Sequence, residues 1–198
     1  MTNFTPYDGS LEAMNLGGSR RLGGVPFNDP VNLRETYAIA VEDQTIYLEV
    51  GTYQALDDPD CSNNVAGNHP ATLCLTLAVT IENMDADTST RVILDGSGSF
   101  RVLTIWTGDT YVTKFIGMEV TGGEPSDGDY EGLDMDGGGA YIYVSDVSFS
   151  RCDFRLNKAS SGDGGGLFIE ASQVTFYQCE FTGNEAVVSI CRRQCADG

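Results

Sequence analysis

In the second half of the chain, apolar residues alternate with polar ones and then skip a step. Val147, Phe149, Cys152 and Phe154 have the form apolar-x-apolar-x-x-apolar-x-apolar, and Val174, Phe176, Cys179 and Phe181 repeat it. Alternation of period two marks a strand with one buried face. The two-residue skip shifts the phase, as a bend would, and a second short strand then points inward again. The two stretches are copies: residues 136–159 and 163–186 superpose without a gap at an offset of 27, with 12 of 24 positions identical. Traced backwards, the template reads Thr113, Phe115, Met118, Val120; then Val79, Ile81, Met84; then Ile46, Leu48, Gly51, Tyr53. Its starts at 46, 79, 113, 147 and 174 lie 33, 34, 34 and 27 residues apart.

Antiparallel hairpins need a turn about every 8–12 residues and would not superpose residue for residue at so long an offset. Parallel stacking does, because each side chain then sits on its counterpart one strand away, at roughly 4.8 Å. The expected architecture is all-β: a parallel β-helix solenoid of about five coils. Gly137, Gly138 and Gly139, like Gly164, Gly165 and Gly166, are expected at corners that need positive φ or close backbone approach. Asn157 and Asn184 suit corners too, and stacking them permits an amide ladder between coils. Cys152 and Cys179 fall on an inward column and are expected to stack as small buried hydrophobes; a disulfide between them fits in distance but demands particular dihedrals.

A stack of coils must cap its ends. Asp29-Pro30 gives a helix start, and Leu33, Tyr37, Ala40 and Val41 share one helical face, which predicts a capping helix over 30–42. The expected organisation is a lead-in over 1–28, one β-helix domain over 29–190 with coils from 43, and a tail over 191–198. No second cap is evident after the last coil, so its unpaired edge would invite end-to-end self-association or a continuation of the repeat.

Composition adds limits. With 29 acidic and 11 basic side chains the formal charge is −18. That argues against nucleic acid, whose phosphates require clustered Lys and Arg. No apolar run reaches the roughly 18 residues of a membrane span. Six cysteines fit an extracellular or cell-surface protein, although residues 1–25 show no export signal. The spacing lacks Cys-x-x-Cys and His69 stands alone, so a zinc site is not expected. Cys61 and Cys74 flank a polar loop and are the natural candidates for a disulfide. Cys191 and Cys195 either close a small loop or stay free.

The chain resembles the right-handed parallel β-helix superfamily, the pectate-lyase-like fold. Residues Tyr37 to Tyr53 look like its usual first coil. The later coils are similar to the repeats of chlamydial polymorphic outer-membrane proteins, which combine a Gly-Gly-Ala-aliphatic corner with Phe-x-x-Asn. Gly137-Gly138-Gly139-Ala140 and Gly164-Gly165-Gly166-Leu167 match the first loosely, and Phe154-Arg155-Leu156-Asn157 and Phe181-Thr182-Gly183-Asn184 match the second. The resemblance covers about residues 30–186. It implies right-handed winding, and it leaves activity open, since the superfamily holds polysaccharide lyases, hydrolases and esterases beside adhesive surface domains.

Candidate chemistry is sparse. Asp127, Asp129, Glu131 and Gly132 reproduce the first half of a calcium loop, with Asp134 and Asp136 close behind, but Gly138 stands where the bidentate Glu belongs. Calcium is the one cofactor suggested, and the bland alternative is a solvated acidic loop. Asp136 and Asp163 occupy equivalent places on adjacent coils, as paired carboxylates or as outward turn acids. Arg151, Arg155 and Lys158 form a basic cluster; either arginine would serve as a lyase base, while pairing with Asp153 explains them as surface ions. Trp106, Tyr111, Tyr130, Tyr141, Tyr143 and Tyr177 would offer sugar-stacking faces if outward, and Tyr141, Tyr143 and Tyr177 alternate with the core set. The first expectation is a non-enzymatic surface β-helix that binds a glycan or protein partner. The alternatives are a calcium-assisted polysaccharide lyase or other carbohydrate-active enzyme, and a fragment of a longer repeat protein.

Overall fold

The computed structural model describes residues 19–21, 33, 37–38, 40–54, 71–85, 90–125 and 135–186. In chain order, β1 (Ser19–Arg21) is followed by β2 (Thr45–Leu48), β3 (Gly51–Gln54) and β4 (Ala71–Leu75). Next come β5 (Thr80–Asn83), β6 (Val92–Asp95) and β7 (Arg101–Ile105), then β8 (Gly108–Ile116), β9 (Met118–Thr121) and β10 (Ala140–Tyr143). They lead to β11 (Ser145–Ser150), β12 (Asp153–Arg155), β13 (Lys158–Ala159) and β14 (Leu167–Glu170), and finally to β15 (Gln173–Tyr177), β16 (Glu180–Thr182) and β17 (Glu185–Ala186).

The protein is all-β and its strands pair in parallel. A first sheet has the order β1-β2-β5-β8-β11-β15, a second β16-β12-β9-β6-β3 and a third β14-β10-β7-β4, with a short pair β13-β17 beside them. The chain visits the three main sheets in the same rotation each time, so strands adjacent in a sheet are far apart in sequence.

Matching side chains form columns between these sheets. Ile46, Ile81, Phe115, Phe149 and Phe176 lie in register across the first sheet. Tyr53, Leu94, Val120, Phe154 and Phe181 do so across the second, and Leu75, Ile105, Ile142 and Ile169 across the third. Most of these side chains are buried in one continuous core. Full burial of each such side chain contributes about 1.5–3 kcal/mol. Ring stacking adds order: Phe149 lies parallel to Phe115 at 5.1 Å and meets Phe154 edge-on at 5.0 Å.

The skip in the template is a left-handed corner. Gly117, Arg151 and Gln178, at equivalent places between the first and second sheets, have φ of 75°, 55° and 54°. At the glycine corner, Gly137 has φ 69°, and a Cβ on Gly138 would sit 2.5 Å from the Lys158 carbonyl oxygen. Both demands select glycine.

Three details differ from the expectation. Ile46 pairs with Ile81 rather than Val79. Both Val79 and Ile81 are buried, and a pattern of period two is blind to a slip of two residues. Met84, expected in the inner column with Met118, is exposed; Val92 takes that place after an insertion at the corner. The third sheet was marked in the repeat only by Ile142 and Ile169. The capping helix expected over 30–42 is not seen as an element, most of that stretch lying outside the described residues, although Leu33, Tyr37 and Ala40 are buried against the core. At the opposite end, β14, β15 and β16 are edge strands among the described residues. There Phe176 is 37% exposed.

Candidate functional site

The outward row of the second sheet concentrates charge. Val120, Phe154 and Phe181 point inward, so the preceding residues Glu119, Asp153 and Glu180 line up on the outer side in three adjacent strands. Asp153 is the buried member, and its Oδ2 lies 3.2 Å from Arg91 and 3.3 Å from Arg155. Arg155 also reaches Glu180 at 3.5 Å, and Arg91 donates to the Arg151 carbonyl. Two guanidiniums thus neutralise one sequestered carboxylate, which suits an anchoring ion pair. The Nε of Arg155 is buried without a hydrogen-bond partner among the described residues.

The basic cluster of the sequence is therefore divided. Arg155 belongs to Asp153, Arg151 occupies a left-handed corner, and Lys158 turns away to Glu124 at 2.7 Å. Ser160 donates to the same Glu124 oxygen at 2.6 Å. The hydrogen bonds from Lys158 and then Ser160 hold the Glu124 carboxyl below its ordinary value, and Glu124 in turn raises Lys158.

Asp136 and Asp163 are adjacent, as their equivalence in the repeat requires: the Asp163 amide donates to Asp136 Oδ1, and the Gly137 amide to the Asp163 carbonyl. Asp127, Asp129, Tyr130, Glu131 and Asp134 lie outside the described residues. Among the described residues no group of three or more His, Cys, Asp or Glu is placed to hold a metal.

The tyrosines separate. Tyr141 and Tyr143 belong to the third sheet, Tyr177 to the first. Tyr141 is buried, stacked on Phe168 at 5.5 Å with the Arg101 guanidinium 5.1 Å from its ring centre, which leaves no face for a ligand. Tyr143 packs against Trp106. Tyr177 is 64% exposed on the outer face of the six-stranded sheet. On the same sheet, β8 carries a bulge: Gly108 faces Ser145 while Val112 faces the next residue, Asp146, so Asp109 to Tyr111 are extra. Tyr111 is 47% exposed there. Rows of Lys114, Ser148, Thr175 and of Ile116, Ser150, Tyr177 run between these aromatics. A regular surface of hydroxyls and open rings can bind polar, ring-shaped ligands by hydrogen bonds and stacking.

Sequence reasoning missed Arg101. Its side chain is buried and donates through Nε to the Asp136 and Gly137 carbonyls, both at 3.0 Å, tying the glycine corner to β7. An arginine opening the largely apolar stretch Arg101–Ile105 was the available signal. Cys74 is disulfide-bonded; Cys61 lies outside the described residues, and Cys152 and Cys179 are free thiols.

No protein-family model, curated protein or solved structure matches the chain. Among the described residues no helix is long and apolar enough to cross a membrane.

Proposed function

We propose that the chain is a right-handed parallel β-helix, one domain over residues 29–190, that binds a glycan or protein partner at a cell surface or outside the cell without transforming it. The fixed rotation of the chain through three parallel sheets and the gapless repeat at 27 residues support the winding. The single observation that carries the binding role is the outer face of the six-stranded sheet, where Tyr111 and Tyr177 stand open beside rows of hydroxyls. Open aromatic rings beside hydroxyls offer stacking and hydrogen bonding to a sugar or a polar side chain. The charge of −18 favours a neutral or basic partner over an anionic polymer.

The carbohydrate-active alternative draws on the row Glu119, Asp153 and Glu180. Against it, Asp153 is already matched by two arginines. A glycan array with a protein pull-down tests the reading: Tyr177→Ala and Tyr111→Ala should each weaken binding about tenfold with melting unchanged. Binding untouched in both variants would overturn it, and ultraviolet detection of unsaturated sugar products would favour the enzyme.

A further inference from the structure

Cys152 and Cys179 stand side by side at the corner between the first two sheets. Ser150 pairs with Tyr177 and Asp153 with Glu180, so the residues between these pairs are brought into register, and the Glu180 amide donates to the Cys152 carbonyl at 3.1 Å. Neighbouring parallel strands are about 4.8 Å apart. This falls within the Cα separation of roughly 4.4–6.8 Å that a disulfide spans. Each thiol adopts the same pose one strand on: Cys152 Sγ lies 3.4 Å from the Phe115 carbonyl oxygen, and Cys179 Sγ lies 3.4 Å from that of Phe149.

The two thiols differ in access. Cys152 is fully buried, whereas Cys179 is partly open at the edge of the stack. Hydrogen bonding from the Cys152 side chain holds the Cys179 thiol down to about 6, while Cys179 and burial push Cys152 up. An accessible nucleophile therefore has a sheltered second sulfur beside it.

We propose that Cys152 and Cys179 are a redox pair, with Cys179 as the attacking thiol, Cys152 as the resolving thiol and a low-molecular-weight disulfide as the oxidant. The Cys179 thiolate attacks one sulfur of the small disulfide; that S–S bond breaks and its electron pair leaves on a small thiolate. Cys152 then gives up its proton and attacks Cys179 Sγ, expelling the second small thiolate, which is protonated. Two protein thiols are oxidised to one disulfide, and one small disulfide is reduced to two thiols. The bond fastens β15 and β16, edge strands among the described residues, to β11 and β12, where Phe176 is half-open. A pair that served packing alone would stay inert.

The test exposes the full reduced chain to oxidised glutathione at neutral pH, blocks remaining thiols, and cleaves after Arg and Glu. Cys152 then lies in the fragment Cys152–Arg155 and Cys179 in Ala171–Glu180. The expected result is these two fragments joined, lighter than their sum by two hydrogens. Cys152→Ser should instead retain glutathione on Cys179, and Cys179→Ser should leave Cys152 unmodified. Wild-type protein with glutathione standing on Cys179 and no joined fragments, or with neither thiol modified, would overturn the proposal. So would modification of Cys152 in Cys179→Ser at the wild-type rate.

Discussion

The side-chain amide of Asn157 donates to the Oδ1 of Asn184, 27 residues on and 3.1 Å away. It also donates to the Val120 carbonyl at 3.0 Å, while its own Oδ1 accepts from the Gly123 amide at 3.0 Å. Asn184 donates onward to the Phe154 carbonyl at 2.9 Å. Asn157 is fully buried, so each of these bonds replaces water.

Asn157→Asp should therefore be costly out of proportion to its size. The new oxygen faces the Val120 carbonyl and Asn184 Oδ1, both acceptors, and a charge there is uncompensated, for a loss of about 3 kcal/mol or more at neutral pH. Asn184→Asp, at a half-exposed position, should lose about 1 kcal/mol. Urea midpoints at unchanged slope measure both. Equal losses would mean that the ladder does not carry the corner.

Phe149 and Phe176 offer a second comparison, since they are the same residue in the same column. Phe149 is closed in by Phe115, Phe154 and Phe176, the last stacked on it at 5.7 Å. Phe176 is open on its far side. Phe149→Ala should cost about 3–5 kcal/mol, the usual range for emptying a packed site. Phe176→Ala should cost roughly half of that, because solvent fills part of the space. Equal effects in denaturant unfolding would indicate that the far side of Phe176 is covered in solution.

The columns were legible in the sequence because alternation and a constant offset are the direct imprint of parallel register: Val147 on Val174 and Phe149 on Phe176 follow from counting 27 residues. The first passage was less legible. An insertion before Val92 broke the constant length, and the twofold period left Ile46 free to match either Val79 or Ile81. The third sheet hid for another reason. Both of its faces are largely buried, so Arg101, Thr104 and Tyr141 interrupt any simple alternation. Surface chemistry was the least legible, because which partner Lys158 or Arg155 chooses depends on residues brought near from other turns, such as Glu124 and Asp153. Tyr111 stood among the stacking candidates only on condition that it faced outward, and neither its exposure nor its place in a bulge was written in the sequence.

The thiol pair predicts a pH dependence with a definite sign. Cys179 titrates at about 6, below the ordinary thiol, chiefly because Cys152 donates a hydrogen bond to its thiolate. Alkylation of Cys179 by iodoacetamide should thus be nearly flat above neutral pH and fall about tenfold per unit below 6, since only the thiolate reacts. Cys152→Ala removes the donor, and the midpoint should climb toward the ordinary value of about 8.5. The linkage to stability has the matching sign. A depressed Cys179 adds stability that is fully present above the unfolded thiol's pKa and is lost as pH falls through about 6, whereas the raised Cys152 subtracts stability as pH climbs into the alkaline range. Peptide mapping of alkylated protein across pH reads Cys179 apart from the other cysteines. A wild-type midpoint near 8.5, unmoved by Cys152→Ala, would show that the two sulfurs are neighbours without being partners.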